Sequence, residues 1–257
     1  ARFLRVHYFN GESMKRVILL GSSGSIGEST CKVARALPDQ MKIVGLGVAK
    51  STDRLLEQAR EFGVSAVAVS DPQAAEKVKS ALPKGAKLFS GGEGLTRMVE
   101  ETEADMVLVA IVGTAGLAPA LAALQSGKDL AVASKEILVL AGSAVMAEAK
   151  KRKKQVLPVD SEHNAIFQCL QGANEKEVRK LILTASGGPF RQSSAEAMQK
   201  VTVAQALKHP TWSMGKKITI DSATMFNKGL EMIEAHWLFG LPMRQVEVVV
   251  HPQSIVH

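Results

Sequence analysis

The sequence predicts an α/β protein in which a doubly wound parallel sheet is followed by a smaller α+β domain. Three observations support this prediction. Short apolar runs rich in β-branched residues alternate with helical patterns from residue 17 to about residue 160. A glycine-rich turn directly follows the first of these runs. Beyond residue 160 the alternation stops, and Ser, Gly, Pro and Gln become frequent between residues 186 and 216.

The elements of the sheet domain follow from the period of the apolar residues. We expect strands at 17–20, 42–48, 66–69, 106–112, 130–133 and 155–159. We expect helices at 26–37, 52–62, 72–81, 93–102, 116–126 and 136–150. Strands and helices that alternate in this way build a parallel sheet with helices on both faces.

The second predicted domain has fewer regular elements. We expect a strand at 181–185, a weak helix near 195–207, a strong helix at 224–237 with Ser222 as its N-cap, and a strand at 246–250. Residues 253–257 have the pattern of a further strand. The loop 186–216 is long for a compact domain, which favours a functional role. We therefore expect domains at 14–160 and 161–257, after a loosely ordered extension at 1–13.

Composition narrows the class of protein. The 257 residues carry a net charge of +7, and only 4% of them are aromatic. A surplus of Lys and Arg suits phosphorylated ligands as well as nucleic acid, but aromatic platforms for single strands are not evident, so we expect no nucleic-acid partner. No apolar run approaches the roughly 20 residues of a membrane helix, so we expect no membrane partner. The two cysteines are too few for a disulfide framework, which favours the reducing cytoplasm.

The glycine-rich turn is a candidate nucleotide site. Its residues are Gly21, Ser22, Ser23, Gly24, Ser25, Ile26 and Gly27. Glycines permit a tight turn and close approach of the backbone to a pyrophosphate, and the following helix N-terminus favours the anion. The spacing is GxxGxxG rather than the commoner GxGxxG, so a purely structural turn is the alternative. With its strand–turn–helix setting, the motif indicates a Rossmann-type dinucleotide-binding domain.

The end of the second predicted strand indicates which dinucleotide would bind. An NAD site usually places a carboxylate there for the ribose 2′-hydroxyl. This chain has Ala49, Lys50 and Ser51 instead. A cation and a hydroxyl suit a 2′-phosphate, which predicts NADPH, although a surface lysine without a role is the alternative.

Three carboxylates in two segments form a candidate metal site. Asp160 and Glu162 directly follow an apolar run, and Glu231 ends a segment that also contains Asn227 and Lys228. Carboxylates suit the hard cations Mg²⁺ and Mn²⁺. The amide and the ammonium suit a phosphate or a polyhydroxylated substrate. Carboxylates that face solvent or cap helices are the alternative.

Eight segments, in a fixed order, resemble those of one enzyme family. They are GSSGSIG at 21–27, IVG at 111–113, SKE at 134–136, LPVDSEHNAIFQ at 157–168, TASGGPF at 184–190, HPTWSMG at 209–215, SATMFNKGLE at 222–231 and HPQS at 251–254. Together they resemble the 1-deoxy-D-xylulose 5-phosphate reductoisomerases over residues 14–257. The family usually has Asn where this chain has Ser134. Its members continue well past the position of His257, so we expect the family's C-terminal helical domain to be absent from this chain.

The resemblance implies an activity and a set of site residues. It implies isomerisation and reduction of 1-deoxy-D-xylulose 5-phosphate to 2-C-methyl-D-erythritol 4-phosphate by a homodimer that uses NADPH and Mg²⁺, Mn²⁺ or Co²⁺. The implied metal ligands are Asp160, Glu162 and Glu231, which would act in catalysis with Lys135 and His209. The implied substrate residues are Lys135, Ser161, Ser186, His209, Trp212, Ser222, Asn227 and Lys228, with the loop 186–216 as a lid. The implied cofactor residues, besides the turn, are Ala49, Lys50, Ser51, Ala110, Ile111, Val112, Ser134, Glu136 and Gly215. For the small residues at 110–116, a simple turn into the next helix is the alternative.

Two other interpretations remain open at this point. One is another NADP-dependent Rossmann oxidoreductase, a class that lacks the pairing of Asp-Ser-Glu with Asn-Lys-Gly-Leu-Glu. The other is a nucleotide-binding protein without catalysis. Within the leading interpretation, a truncated chain would be weakly active or inactive, and its strand 246–250 would expose an edge that pairs with a second copy.

Overall fold

The computed structural model describes residues 14–174 and 177–257. The predicted N-terminal extension, 1–13, lies outside these described residues. The described chain forms two compact units, 14–159 and 160–257. Within the described ranges, every helix is too short or too polar to cross a membrane.

In the described residues, a seven-stranded parallel sheet forms the centre of the first unit. Its strands are β1 (Lys15–Leu20), β2 (Met41–Val48), β3 (Ala66–Val69), β4 (Lys87–Ser90), β5 (Met106–Val109), β6 (Asp129–Val132) and β7 (Val156–Pro158). Their order across the sheet is β4-β3-β2-β1-β5-β6-β7, and all neighbours are parallel. The chain therefore winds outward from β1 on one side and from β5 on the other, which is the predicted doubly wound arrangement.

Helices connect the strands and cover the sheet. They are α1 (Ser25–Ala36), α2 (Thr52–Phe62), α3 (Pro72–Lys79), α4 (Gly94–Glu101), α5 (Leu117–Gln125) and α6 (Lys135–Arg152). Ile18, Leu19 and Leu20 of β1 are consecutive and fully buried. A strand can bury consecutive residues only where both faces of its sheet are covered, so these runs of apolar residues indicated a parallel sheet correctly.

Two details of this unit differ from the prediction. β4 is absent from the predicted strands because Phe89 is its one buried side chain, so the segment lacks an apolar run. The strand predicted at 106–112 ends at Val109, because the chain then turns into a 3-10 helix at Thr114–Gly116.

The second unit, as described, contains a two-stranded parallel sheet and short helices. Its elements are α7 (Ser161–Cys169), β8 (Leu181–Ala185), α8 (Ala195–Met198), α9 (Val203–Ala206), α10 (Lys216–Ala223), α11 (Phe226–Phe239) and β9 (Val246–Val250). β8 pairs with β9 in register from Leu181 to Ala185. Ala235 and Phe239 of α11 pack on this sheet and form a small apolar core with Leu181, Leu183 and Val246.

Two predictions for this unit are wrong, and a third needs refinement. Ser222 is not the N-cap of the long helix, because it lies in the last turn of α10, and Met225 caps α11 in a left-handed conformation with φ of 61°. Residues 253–257 form a turn and a bend rather than a strand. The helix predicted near 195–207 is divided into α8 and α9, each of which begins at its own capping hydroxyl residue.

Candidate functional site

A pocket of about 250 Å³ lies within the second unit. It gathers side chains from α7, the loop after β8, α10, α11 and the segment near residue 257. The predicted site residues that line it are Asp160, Ser161, Glu162, Ser186, His209, Trp212, Ser222, Asn227, Lys228 and Glu231. The structure therefore brings together, in one place, predicted residues from segments that are distant in the sequence.

Asp160, Glu162 and Glu231 form a candidate metal centre. One carboxylate oxygen from each residue lies within 4.8 Å of the others. Asp160 caps α7 by accepting a hydrogen bond from the Ser161 backbone N–H, and Glu162 follows in the first turn. Glu231 is 1% exposed and projects from α11. Converging carboxylate oxygens of this kind fit Mg²⁺ or Mn²⁺, which prefer hard ligands.

Lys228 shows that this carboxylate cluster attracts positive charge. Its Nζ donates to Glu162 Oε1 at 3.0 Å and also to Glu231 Oε2. The amide of Asn227 donates to the other oxygen of Glu231. Burial acts to raise the pKa of Glu162, but the Lys228 ammonium outweighs burial and holds that pKa below its ordinary value. Glu162 therefore stays ionised near neutral pH, as a ligand of a cation must.

His163 ties the first turn of α7 to α11. The ring is fully buried, and its Nε2 donates to the backbone carbonyl of Glu231 at 2.9 Å. Its Nδ1 lies 3.3 Å from Glu234 Oε2 and 3.7 Å from Asp160 Oδ2. Burial disfavours a charged ring, but the two carboxylates outweigh it and raise the pKa of His163 to about 9. The ring thus holds two of the candidate metal ligands in a fixed relation.

His209 determines the direction of the Ser186 hydroxyl. The Nδ1 of His209 accepts hydrogen bonds from the backbone N–H groups of Thr211, at 3.1 Å, and Trp212, at 2.9 Å. The ring proton is therefore on Nε2, which donates to Ser186 Oγ at 3.0 Å. The same oxygen accepts from the Gly188 N–H at 3.3 Å. With both acceptor positions used, the Ser186 hydroxyl is oriented to donate its own hydrogen to a ligand.

We expect His209 to be neutral at pH 7, with its proton on Nε2. Burial disfavours the imidazolium and Arg191 repels it, so the pKa of His209 lies below its ordinary value of 6.5. Because the pKa is lower in the folded than in the unfolded chain, neutral His209 stabilises the fold above about pH 6.5, and this contribution is lost as the pH falls through the folded-state pKa.

Two-bond ¹H–¹⁵N spectra of the imidazoles would test this prediction about His209. His236 is an internal control, because its Nδ1 lies 2.7 Å from the Leu241 carbonyl and donates to it, which requires a proton on Nδ1. A His209 ring with its proton on Nδ1, or a pKa at or above the ordinary value, would contradict the assignment.

The glycine-rich turn of the first unit exposes only part of its backbone. The N–H groups of Gly21 and Ser22 both donate to the Gly47 carbonyl, at 2.8 and 3.1 Å, and the Ser22 side chain is fully buried. Residues 23–26 lie at the surface, and the first N–H groups of α1 have no partner within the helix. The part of the turn that can meet a pyrophosphate is therefore residues 23–26 and the start of α1.

The predicted 2′-phosphate residues lie at the end of β2. Ala49, Lys50 and Ser51 are exposed there, directly before α2. The Lys50 Nζ lies 3.4 Å from Asp71 Oδ2. This exposed ammonium is accessible to a phosphate.

The remaining predicted cofactor residues of this unit lie after β5 and β6. Ala110, Ile111 and Val112 follow β5, and Val112 is 74% exposed. The Ser134 hydroxyl donates to the Ile111 carbonyl, so Ser134 joins these two loops. The buried Lys135 and the partly buried Glu136 form the first turn of α6.

The pocket and the predicted residues do not coincide completely. Gly215 caps α10 and is not among the described residues that line the pocket. The lining residues outside the predicted set are Thr184, Ala185, Gly187, Ser213, Met214, Ile218, Met225, Ser254, Val256 and His257. Several of them belong to the segments at 184–190, 209–215 and 251–254 that resemble the family. Membership of these segments was the sequence signal that could have identified them. The ring of His257 makes an edge contact with Trp212, with ring centroids 5.1 Å apart.

Comparison with known families identifies both units. A family model described as 1-deoxy-D-xylulose 5-phosphate reductoisomerase matches residues 17–142. A second model, for the C-terminal domain of the same enzyme, matches residues 156–239. Together, these two matches cover most of the chain.

Curated relatives and solved structures agree with this match. The 1-deoxy-D-xylulose 5-phosphate reductoisomerase of Pelotomaculum thermopropionicum is 53% identical over 246 residues, which is 95% of this chain and 64% of the relative. That of Caldanaerobacter subterraneus subsp. tengcongensis is 52% identical over 244 residues, with the same coverage. This chain therefore spans just under two thirds of the length of the curated relatives.

Two solved structures have the same fold. A crystal structure of DOX-P reductoisomerase with NADPH, fosmidomycin and magnesium is 44% identical, with a TM-score of 0.86 over 95% of this chain and 63% of that one. The Zymomonas mobilis 1-deoxy-D-xylulose 5-phosphate reductoisomerase with NADPH is 40% identical, with a TM-score of 0.88 over the same shares of the two chains. From these matches and the residues gathered in the pocket, we conclude that this chain belongs to the 1-deoxy-D-xylulose 5-phosphate reductoisomerase family.

Proposed function

We propose that this chain catalyses the NADPH- and divalent-metal-dependent isomerisation and reduction of 1-deoxy-D-xylulose 5-phosphate to 2-C-methyl-D-erythritol 4-phosphate, a step in isoprenoid precursor biosynthesis. The observation that carries this proposal is the convergence of Asp160, Glu162 and Glu231 beside Lys228 in one pocket. Relatives solved with NADPH and with magnesium support the choice of cofactors. Mn²⁺ and Co²⁺ fit the same ligands.

The bound cofactors and the side chains would have separate roles. A divalent cation would supply Lewis-acid stabilisation of negative charge on adjacent substrate oxygens, and NADPH would supply the hydride. Asp160, Glu162 and Glu231 would hold the cation. Ser161, which is exposed and donates to Glu162 at 2.8 Å, would contact a substrate hydroxyl. Lys135 would act as a catalytic residue that binds substrate.

The same pocket contains donors that suit a phosphate. The Ser186 hydroxyl is oriented to donate, and Ser222 and Asn227 add a hydroxyl and an amide to the lining of the pocket. The Lys228 ammonium supplies positive charge in the same pocket. A mixture of oriented donors and a cation is the usual way to bind a phosphate monoester.

The loop 186–216 would close over the substrate and exclude water. Trp212 is 43% exposed at the edge of the pocket and provides an apolar cover, while His209 joins the loop to Ser186. Exclusion of water strengthens each electrostatic contact with the reacting atoms. Closure would therefore support both substrate retention and catalysis.

The β8–β9 sheet supports a homodimer. Ile182, Val249 and Val250 are each 47% exposed on this sheet. Apolar side chains on a short sheet with open edges favour association with a second copy. Light scattering over a range of protein concentrations would test this, and a monomeric mass at the highest concentration would contradict it.

The assay for the proposed activity is the loss of NADPH absorbance with 1-deoxy-D-xylulose 5-phosphate and Mn²⁺ or Mg²⁺. We expect turnover that EDTA abolishes and added metal restores, because the carboxylate cluster needs a divalent cation to act on the substrate. NADPH binding without turnover would favour a nucleotide-binding chain without catalysis. Absence of both would contradict the nucleotide assignment for residues 21–27.

A further inference from the structure

We infer that Gln58 is a positioning residue for the dinucleotide turn and acts through its hydrogen bond to the Ser22 carbonyl. The inference rests on the proposed NADPH site and extends it to a residue outside the turn. Gln58 lies in α2, 36 positions after Ser22, and is 0% exposed. Its neighbours Leu55 and Ala59 are also fully buried. A polar side chain on the apolar face of a helix costs free energy unless its donors are used.

Both hydrogens of the Gln58 amide point to the turn and its helix. The Nε2 donates to the Ser22 carbonyl at 3.0 Å and to Glu28 Oε1 at 3.0 Å. These two acceptors determine which way the amide is turned. If the Gln58 oxygen took the place of its nitrogen, the Ser22 carbonyl and the Glu28 carboxylate would repel it. Gln58 is thus a donor to the turn rather than an acceptor.

Three contacts fix the position of Ser22 in the turn. Its N–H donates to the Gly47 carbonyl at 3.1 Å, and its carbonyl accepts from Gln58 at 3.0 Å. Gly27 approaches so closely that a Cβ there would lie 2.3 Å from the same carbonyl oxygen. Without the Gln58 donor, the buried carbonyl would lose its partner and move. That movement would displace Gly27 and residues 23–26, which are the part of the turn available to a pyrophosphate.

Glu28 and Arg54 keep the amide in place. Arg54 donates to both oxygens of Glu28, at 2.6 and 2.7 Å. The pKa of Glu28 is lowered by this pairing, so Glu28 stays an ionised acceptor for Gln58. Since α2 directly follows Lys50 and Ser51, the Gln58 hydrogen bond joins the pyrophosphate turn to the helix after the predicted 2′-phosphate residues.

The NADPH affinity of the variant Gln58→Met tests the inference. Methionine has a similar length and volume but no donor, so the main change is the loss of the hydrogen bonds to the Ser22 carbonyl and to Glu28. We expect NADPH to bind about 2- to 10-fold more weakly, which corresponds to the loss of one net hydrogen bond to the turn. The control is Glu57→Gln on the same helix, since Glu57 is exposed and its described partner is Arg54. We expect unchanged affinity in the control.

Adenosine 2′-monophosphate distinguishes a positioning role from general loosening of the unit. This ligand has the 2′-phosphate but no pyrophosphate, so Q58M should bind it as the unsubstituted chain does. Equal losses of affinity for both ligands would overturn the inference, because they would reflect general destabilisation. Unchanged NADPH affinity in Q58M would also overturn it.

Failure of the proposed function would be recognised separately. If the unsubstituted chain does not bind NADPH, the proposed function is contradicted, and hydrogen exchange at the backbone amides of residues 23–27 then decides the inference. Faster exchange in Q58M than in E57Q supports it, and equal rates overturn it. Should Q58M fail to fold, Gln58→Asn replaces it with the same criteria, because its amide is one methylene too short to reach Ser22.

Discussion

Replacement of Glu231 by Gln is expected to lower metal-dependent turnover by about 1,000-fold, the effect of losing a few kcal/mol of transition-state stabilisation. The substitution keeps the size of the side chain but removes its charge. The carboxylate of Glu231, which is 1% exposed, gives the cation a negative charge that a neutral amide does not supply. Steady-state kinetics at increasing Mn²⁺ concentrations would measure the effect. The matched control is Glu247→Gln, since Glu247 is exposed on β9 and pairs with Lys180.

Metal binding can be measured in this variant independently of turnover. Glu231 also accepts hydrogen bonds from Asn227 and Lys228, so its replacement changes local packing as well as charge. A ligand that binds only the folded state raises the melting temperature. Mn²⁺ should therefore raise the melting temperature of the unsubstituted chain and of E247Q, but not that of E231Q. If Mn²⁺ stabilises E231Q as strongly as the control, Glu231 is not a metal ligand.

The sheet of the first unit could be predicted from the sequence because its strands are buried on both faces. β3 has four consecutive buried residues, and its predicted bounds, Ala66–Val69, agree with the structure. β4 buries Phe89 alone, and a single apolar residue does not give a periodic signal. Its place in the sheet depends on pairing with β3, which is a tertiary interaction that local patterns do not contain.

Helix ends in the second unit show a second limit of prediction from sequence. Ser222 is a plausible N-cap by residue type, but here it ends α10, and α11 begins only four residues later at Phe226. Residue preference cannot tell the end of one helix from the start of the next when the two are so close. The left-handed conformation of Met225 has no sequence signal, because bulky residues seldom adopt a positive φ.

The sequence predicted residues of the candidate site where their side-chain chemistry and the order of their segments along the chain indicated the same function. The carboxylates of Asp160, Glu162 and Glu231 could be selected because hard cations need such ligands. Gln58 was missed, although the pattern held a signal: it lies three residues after Leu55 and next to Ala59 on the apolar face of α2. A polar residue on such a face indicates a specific hydrogen-bond partner, but its identity as the Ser22 carbonyl required the structure.

Replacement of Gly27 by Ala is expected to weaken NADPH binding by about 100-fold, or about 3 kcal/mol, since the overlap displaces the part of the turn that would contact the pyrophosphate. The added Cβ would lie 2.3 Å from the Ser22 carbonyl oxygen and 2.4 Å from that of Gly21. Both are backbone atoms, so no side-chain rotation relieves the overlap, and the turn must open or α1 must move. Overpacking of this kind should also lower the free energy of unfolding by about 1–3 kcal/mol.

Gly24→Ala provides the matched control for stability, because it adds the same methyl group to the same turn. A Cβ at Gly24 would meet its nearest neighbour at 3.4 Å, and the φ of −82° suits alanine. We expect Gly24→Ala to change the free energy of unfolding by less than about 1 kcal/mol. Urea denaturation of both variants, with NADPH titration of Gly27→Ala, would measure the difference. Equal stability of the two variants would mean that α1 is not held against the Ser22 carbonyl. The close approach of Gly27 to that carbonyl would then be contradicted.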